Sequence, residues 1–338
     1  MPVEILLHAL VGLLPVLGFL AALVYLDSYK LVRLRAVLAV VASGVAMAVV
    51  GYFVNDLALE LMPIELESYS RYGAPVTEEF LKGLVIVGLI RAHRIGFLVD
   101  GAIFGFAVGT GFALFENLFY QHQVSGAGIG TWIVRGFGTA IMHGGVTAIF
   151  AMMSLVMLER DERTSPAAFL PGFTLAVVLH SAYNHMFVSP RFSTLAVLVV
   201  LPPLMFVVFR RSEQALGDWL GRGFDADTDM LKSINSGRFS DSPAGKYLTS
   251  LRRRFKGPVV ADLLCYLRLR TELALRAKGI LLMRENGFDI PADEATRAKF
   301  AELHYLERSI GKTGLLALKP MLHVSSKDLW QLHMLEAE

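Results

Sequence analysis

Seven long apolar stretches occupy most of the first two thirds of the chain, and they constrain the fold more than any other feature. A helix needs about 20 apolar residues to cross a hydrocarbon core of ~30 Å, and each stretch reaches or approaches that length. The stretches fall at roughly 5–26, 36–54, 75–91, 97–120, 131–157, 168–188 and 192–209. The pattern predicts an all-α fold, a polytopic transmembrane bundle of about seven helices over residues 1–210.

The amino-acid composition indicates a membrane protein and limits the classes of partner that we expect for it. Hydrophobic residues make up 54% of the chain, and the mean hydropathy is +0.52 even though the last third is heavily charged. A net charge of +2 gives no reason to expect a nucleic-acid partner. The single Cys265 excludes an intramolecular disulfide and a four-cysteine zinc site. The lipid bilayer is therefore the first partner that the sequence predicts.

Basic residues near the ends of the stretches predict an orientation in the cell (cytoplasmic) membrane. The positive-inside rule places loops rich in lysine and arginine on the cytoplasmic side. Two basic residues, Arg71 and Arg191, fall in one set of alternate loops, against nine in the other set and after the last stretch. The nine are Lys30, Arg33, Arg35, Arg91, Arg94, Arg160, Arg163, Arg210 and Arg211. We therefore expect the N-terminus outside, the C-terminus in the cytoplasm, and an acidic external loop over 55–74.

Ionisable side chains interrupt four of the apolar stretches. A charged group at the centre of a membrane helix costs about 2.5–3.5 kcal/mol on insertion scales, and pairing inside the bundle would offset that cost. At ~1.5 Å of rise per residue, all of these groups fall in the outer half of the predicted bilayer. They form the motifs Glu78-Glu79-x-x-Lys82, Phe112-x-x-x-Glu116-Asn117-x-x-Tyr120, His143 and His180-x-x-x-Asn184. The sequence thus predicts one buried acid–base site assembled from four helices.

Helical spacing adds detail to two of the motifs. Lys82 lies four residues after Glu78 and three after Glu79, so its amine can reach either carboxylate on one helix face. Asn184 shares a face with His180 and could fix the tautomer of its imidazole.

Small residues recur every four positions on the two stretches that carry Glu116 and His143. Such ridges let helix backbones approach closely, which short glutamate and histidine side chains need in order to meet. The ridges are Gly101, Gly105 and Gly109 on one stretch and Gly136, Ala140 and Gly144 on the other. We interpret Arg135 and His185 as structural or interfacial groups.

Taken together, the motifs resemble the PrsW family of intramembrane proteases, which is related to the CAAX-prenyl and bacteriocin-processing proteases. The resemblance covers about residues 5–210. It rests on Glu78-Glu79-Phe80-Leu81-Lys82, on Asp100-Gly101, Phe104-Gly105, Gly109, Phe112, Glu116-Asn117 and Tyr120, on the helix with His143, and on His180-Ser181-Ala182-Tyr183-Asn184. It implies hydrolysis of a peptide bond within or beside the membrane, typically the first cut of an anti-sigma factor. It also implies that Glu78, Glu79 and His180 are essential.

The residue types allow a metal-free form of this hydrolysis, which we favour from the sequence. Glu78 would be the general base that activates water, with Glu79 supporting it and Lys82 holding the pair. His180 would stabilise the oxyanion or protonate the leaving amine. The polar shell is completed by His143, Glu116, Asn117 and Asn184.

A metal-dependent form stays open. Glu79, His143 and His180 are a plausible zinc set with one open position, although the chain has no His-Glu-x-x-His helix. The cofactor is therefore either none or Zn²⁺. The substrate in both forms is a membrane-anchored protein.

A transporter coupled to protons or metal ions is the alternative from another functional class, because a proton relay would use the same intramembrane Glu and His groups. The odd number of stretches and the absence of a clear internal repeat argue against it.

The chain changes character after residue 210, and residues 211–338 predict a small helical cytoplasmic domain. Residues 225–245 read as a linker, and helices are expected over 258–286 and 292–311, with Gly287 as a helix stop. These C-terminal helices could support a homo-oligomer. We find no catalytic pattern among them.

Overall fold

The computed structural model describes residues 2–123, 126–160, 165–288, 290–322 and 326–336, and all regular structure within these ranges is helical, as predicted. The helices of the first half are α1 (Pro2–Tyr25), α2 (Leu34–Leu61), α3 (Leu66–Ser68), α4 (Ala74–Arg91), α5 (Leu98–Gln123), α6 (Ile129–Ile133) and α7 (Ile141–Arg160). Those that follow are α8 (Leu170–Asn184), α9 (Pro190–Asn235), α10 (Pro243–Ser250), α11 (Gly257–Glu285), α12 (Glu294–Leu318) and α13 (Ser326–Glu336). Two π-helical segments precede functional helices: Tyr69–Gly73 leads into α4, and Val134–Ala140 leads into α7.

The chain divides into two compact units, Met1–Glu213 and Gln214–Glu338, and the boundary falls within α9. Each unit has its own apolar core. Ile103 and Phe106 are fully buried in the first core, and Leu263 and Leu318 in the second.

Six helical stretches among the described residues are long and apolar enough to cross a membrane. They are Glu4–Tyr25, Leu34–Leu61, Leu98–Gln123, Ile129–Arg160, Pro166–Asn184 and Pro190–Asn235. The third predicted stretch, 75–91, forms α4, but the 18 residues of this helix include Glu78, Glu79, Lys82 and Arg91, and these charges remove it from the set. The sequence predicts about seven membrane-spanning helices. By length and composition the described residues provide six, and α4 is a further, more polar helix.

Two segments expected to be irregular are helical instead. In the predicted external loop 55–74, α2 continues to Leu61, and α3 and the first π-helical segment run directly into α4. In the predicted linker 225–245, α9 continues to Asn235, and Gly237 then takes a φ of 73°. A short 3₁₀ turn and α10 follow, and Ser242 caps α10 by accepting a hydrogen bond from the Gly245 amide. Of the residues that suggested a linker, Gly237 follows the end of α9 with a left-handed backbone and Ser242 caps α10.

Helix α5 lies at the centre of the first unit, because glycines let its backbone touch the helices on two sides. A Cβ added at Gly109 would lie 2.3 Å from the carbonyl oxygen of His143 on α7. A Cβ at Gly111 would lie 2.0 Å from the carbonyl oxygen of Val41 on α2. No side chain fits at either contact. The predicted glycine ridge therefore packs α5 against the helix that carries His143.

The second unit is built on α11, with α12 and α13 packed against it. The predicted helix 258–286 corresponds to α11, and Gly287 ends it with a φ of 83°. The predicted helix 292–311 begins later and ends later, as α12. Asp293 caps α12 by accepting from the Thr296 amide, and the helix continues through a kink at Gly311, which has a φ of 64°.

Candidate active site

Side chains from four helices meet at one place in the first unit. Glu78, Glu79 and Lys82 come from α4, Glu116 from α5, His143 from α7 and His180 from α8. The side chains of Glu79, Lys82, His143 and His180 are at most 2% exposed, whereas those of Glu78 and Glu116 are 15% and 25% exposed. The two accessible carboxylates therefore flank a buried polar cluster.

Glu79 connects Lys82 to His180. Its Oε1 atom accepts a hydrogen bond from Lys82 Nζ at 2.6 Å and lies 2.7 Å from His180 Nδ1. This contact leaves His180 Nε2 on the other side of the ring, where it lies 3.9 Å from Glu78 Oε2. The predicted Lys82–Glu79 pair is present in the structure.

His143 lies at the centre of the cluster. Its Nδ1 is 3.0 Å from Lys82 Nζ, and its ring meets that of His180 edge-on with 4.8 Å between the ring centres. The other ring nitrogen, Nε2, lies 2.9 Å from Glu116 Oε2. That oxygen is buried and has no partner with hydrogen-bond geometry.

Glu78 is held from the side of α2. Asn55 Nδ2 donates to Glu78 Oε1 at 3.4 Å, and Tyr69 Oη donates to Asn55 Oδ1 at 2.9 Å. Sequence reasoning missed both supporting residues. Asn55 lies just beyond the predicted end of its apolar stretch, and no spacing pattern connects it to Glu78.

Arg135 supports the opposite carboxylate. Its Nη2 lies 3.1 Å from Glu116 Oε1, and its Nε donates to Asn117 Oδ1 at 2.9 Å. Asn117 in turn donates a hydrogen bond to the carbonyl oxygen of Gly12 at 2.7 Å, and this bond connects α5 to α1. The sequence contained a signal for this pair, because an arginine inside an apolar stretch needs a carboxylate partner and Glu116 lies in another apolar stretch.

Asn184 does not hold His180 in the predicted way. Its Nδ2 donates to the carbonyl oxygen of Ser70 at 2.9 Å, so it fastens the first π-helical segment to the end of α8. The contact to His180 Nδ1 comes from Glu79 instead.

The buried cluster also contains a set of donors suited to a metal ion. One nitrogen each of His143 and His180 and one oxygen of Glu78 all lie within 4.8 Å of one another. Two histidines with one glutamate are a catalytic zinc set in proteins, so the residues present fit such an ion. The predicted set contained Glu79 in place of Glu78. Glu79 Oε1 is already engaged by Lys82 and His180 Nδ1, which leaves Glu78 as the carboxylate that faces both rings.

A polytopic helical bundle with a buried glutamate–histidine cluster defines the class: a multi-pass membrane protein with a buried acid–base site. The family comparison agrees with this class. The model of the PrsW family intramembrane metalloproteases matches residues 32–209, more than half of the chain. The chain therefore belongs to the PrsW family, which makes it an intramembrane protease acting on membrane-embedded protein substrates.

Searches among curated proteins and solved structures give no significant match to the chain. The family match confirms the resemblance and favours a protease over the transporter alternative. It contains all four helices that supply the cluster, and it ends before most of α9 and the whole second unit.

Proposed function

We propose that the chain is a metal-dependent endopeptidase that cuts a membrane-anchored protein near the outer face of the cell membrane. The observation that carries this proposal is the approach of Glu78, His143 and His180 within 4.8 Å of one another. These three residues would hold the ion. When bound, a Zn²⁺ ion supplies Lewis acidity for the attack of water on a peptide carbonyl.

Glu79 and Lys82 then orient the histidines. The Glu79 carboxylate at His180 Nδ1 fixes the ring so that Nε2 faces Glu78. Carboxylates in this position set the tautomer and orientation of metal-binding histidines. Lys82 contacts both Glu79 and His143, so a single buried amine holds the two histidine helices in register.

Glu116 takes the role of general base in this proposal. Its Oε2 is a buried oxygen without a hydrogen-bond partner beside His143, and its side chain is partly accessible. The carboxylate would accept a proton from the attacking water and return it to the amine that leaves when the peptide bond breaks. The sequence-based interpretation gives this role to Glu78, but Glu78 is the carboxylate that lies beside both histidines.

The position of the cluster along the helices supports cleavage near one membrane face. His180 lies about one turn before the end of α8, and Glu78 lies about one turn after the π-helical segment that carries Arg71. The positive-inside bias places this end of the bundle outside the cell, with the N-terminus outside and the C-terminus in the cytoplasm. Arg163, which contributes to that bias, lies outside the described residues.

A membrane-anchored anti-sigma factor is the substrate that the family resemblance suggests. Self-association through the helices of the second unit stays a prediction, as does the cytoplasmic location of that unit. Exposed apolar side chains such as Met283 and Phe288 provide surface for such an association.

The test combines cleavage with metal content. Purified protein in nanodiscs is incubated with labelled single-span peptides, and its zinc is measured by mass spectrometry. We expect chelation to abolish cleavage, zinc to restore it, and Glu78→Gln to lose both the metal and at least 10²-fold in rate. Glu67→Gln, which changes an exposed carboxylate outside the cluster, is the matched control and should retain both. Chelator-resistant cleavage would contradict the metal-dependent form, and undiminished cleavage by Glu78→Gln would contradict the site itself.

A further inference from the structure

Arg135 is a cation enclosed by the bundle, and it contacts Glu116, a member of the cluster. Its side chain is 15% exposed. The guanidinium contacts Glu116 and Asn117 and lies 3.9 Å from the centre of the Tyr120 ring. These three residues lie on one face at the end of α5, so Arg135 fixes that part of α5 from three directions.

We propose that Arg135 is a positioning residue, which holds Glu116 so that its second oxygen lies at His143. The inference rests on the proposed function, in which Glu116 accepts a proton from water. Arg135 Nη2 donates a hydrogen bond to Glu116 Oε1 at 3.1 Å, and the other carboxylate oxygen of Glu116, Oε2, lies 2.9 Å from His143 Nε2. One oxygen of the carboxylate is anchored, and the other is left for chemistry.

The shape of the guanidinium suits this task. Nε and Nη2 lie on one edge of a rigid planar fork, and here that edge spans two consecutive residues, with Nε on the Asn117 amide and Nη2 on the Glu116 carboxylate. Asn117 is itself fixed by its bond to the Gly12 carbonyl. A lysine amine in this place would supply the charge without the two fixed directions.

The π-helical segment Val134–Ala140 explains how Arg135 and His143 reach the same carboxylate. On an ideal α-helix with 3.6 residues per turn, two residues eight positions apart point about 80° away from each other. The i→i+5 bonds of a π-helix widen each turn and so reduce the rotation per residue. Because most of the path from Arg135 to His143 lies in the π-helical segment, the two side chains come closer to a common face, and both contact Glu116. The irregular segment is therefore part of the site.

The first measurement is the steady-state kinetics of Arg135→Gln, Arg135→Lys and the control Arg71→Gln. Arg71 makes an exposed pair with Glu67, so its variant carries the same substitution outside the cluster. Loss of an orienting contact typically costs 10–100-fold. We expect kcat of Arg135→Gln to fall by about that factor with KM changed less than threefold, Arg135→Lys to lie between it and wild type, and Arg71→Gln to stay within twofold of wild type. Unchanged kcat in Arg135→Gln, or a loss confined to KM, would overturn the assignment.

The second measurement asks whether Arg135 acts through Glu116. Arg135→Gln is combined with Glu116→Asp, which keeps a carboxylate and therefore a measurable rate, and with Glu116→Gln. If Arg135 works by placing Glu116, its substitution should slow either Glu116 variant by less than threefold, because the contact is already lost. A merely structural arginine would slow them by the full factor seen in the wild-type background. Glu78→Gln distinguishes a failure of the proposed function from a failure of the role given to Arg135. If Glu78→Gln is inactive while the effects of the Arg135 and Glu116 substitutions are additive, the proposed site stands and only the role of Arg135 is refuted.

Discussion

The Glu79–Lys82 pair allows the most quantitative test of the structure. Both side chains are almost fully buried, and the charged atoms are 2.6 Å apart. Removing one member of a buried pair leaves an uncompensated charge and typically costs about 3–5 kcal/mol. We therefore expect Glu79→Gln and Lys82→Met each to lower the free energy of unfolding by about this amount. In the double variant no buried charge is stranded, so its loss should be smaller than the sum of the single losses by about 2–3 kcal/mol.

The exposed pair Glu67–Arg71 provides the matched control for this cycle. Its charged atoms are also 2.6 Å apart, but its side chains are 70% and 39% exposed. The same cycle on this pair should give a coupling of about 0–1 kcal/mol, because solvent screens the charges. Unfolding is followed by helicity during detergent titration in mixed micelles. Additive losses at Glu79 and Lys82, or equal coupling in the two pairs, would refute the reasoning from burial.

Two further predictions concern residues whose side chains are not part of the cluster. Burial raises the pKa of Asp27, in the connection between α1 and α2, to about 6. Because its usual pKa is about 3.9, the folded state holds the proton more tightly, and stability should fall by about 3 kcal/mol as pH rises from about 4 to 6. Asp27→Asn should remove this pH-dependent loss. When the free energies of unfolding of variant and wild type are measured from pH 4 to 7, their difference should grow between about pH 4 and 6 and then level off. Gly109→Ala places a Cβ 2.3 Å from a backbone oxygen of α7 and should cost about 1–3 kcal/mol. At Gly88 a Cβ meets no atom of the described residues within 4 Å beyond the neighbouring backbone of its own helix, so Gly88→Ala should cost nothing in the same assay.

The sequence predicted the helices and the main members of the cluster because both leave strong local signals. An apolar stretch of about 20 residues has few alternatives to a membrane helix. A glutamate or histidine inside such a stretch needs partners, so Glu78, Glu79, Glu116, His143 and His180 could be grouped without knowing how the helices pack.

The parts that sequence reasoning could not predict depend on contacts between helices or on local backbone geometry. Spacing placed Asn184 on the face of His180, but spacing cannot show that the Ser70 carbonyl lies nearer to its amide. Spacing also cannot decide which glutamate offers an oxygen to both histidines, since Glu78 and Glu79 lie on one helix and only the packed bundle distinguishes them. A π-helical segment such as Val134–Ala140 has no reliable sequence signature, and without it Arg135 could not be connected to His143.

Cleavage near a membrane face, as we propose from the location of His180 about one turn before the end of α8, would limit which bonds of a substrate can be cut. A transmembrane helix hides its peptide bonds in its own hydrogen bonds, and unwinding it in the hydrocarbon core strands polar groups at a cost of several kcal/mol each. Near the membrane face, water can satisfy the freed groups and also reach the carbonyl that it must attack. Under this proposal a substrate would need to fray only its terminal turn to become cleavable, and a helix-weakening residue just inside the membrane surface would be a better recognition signal than any particular side chain at the bilayer centre.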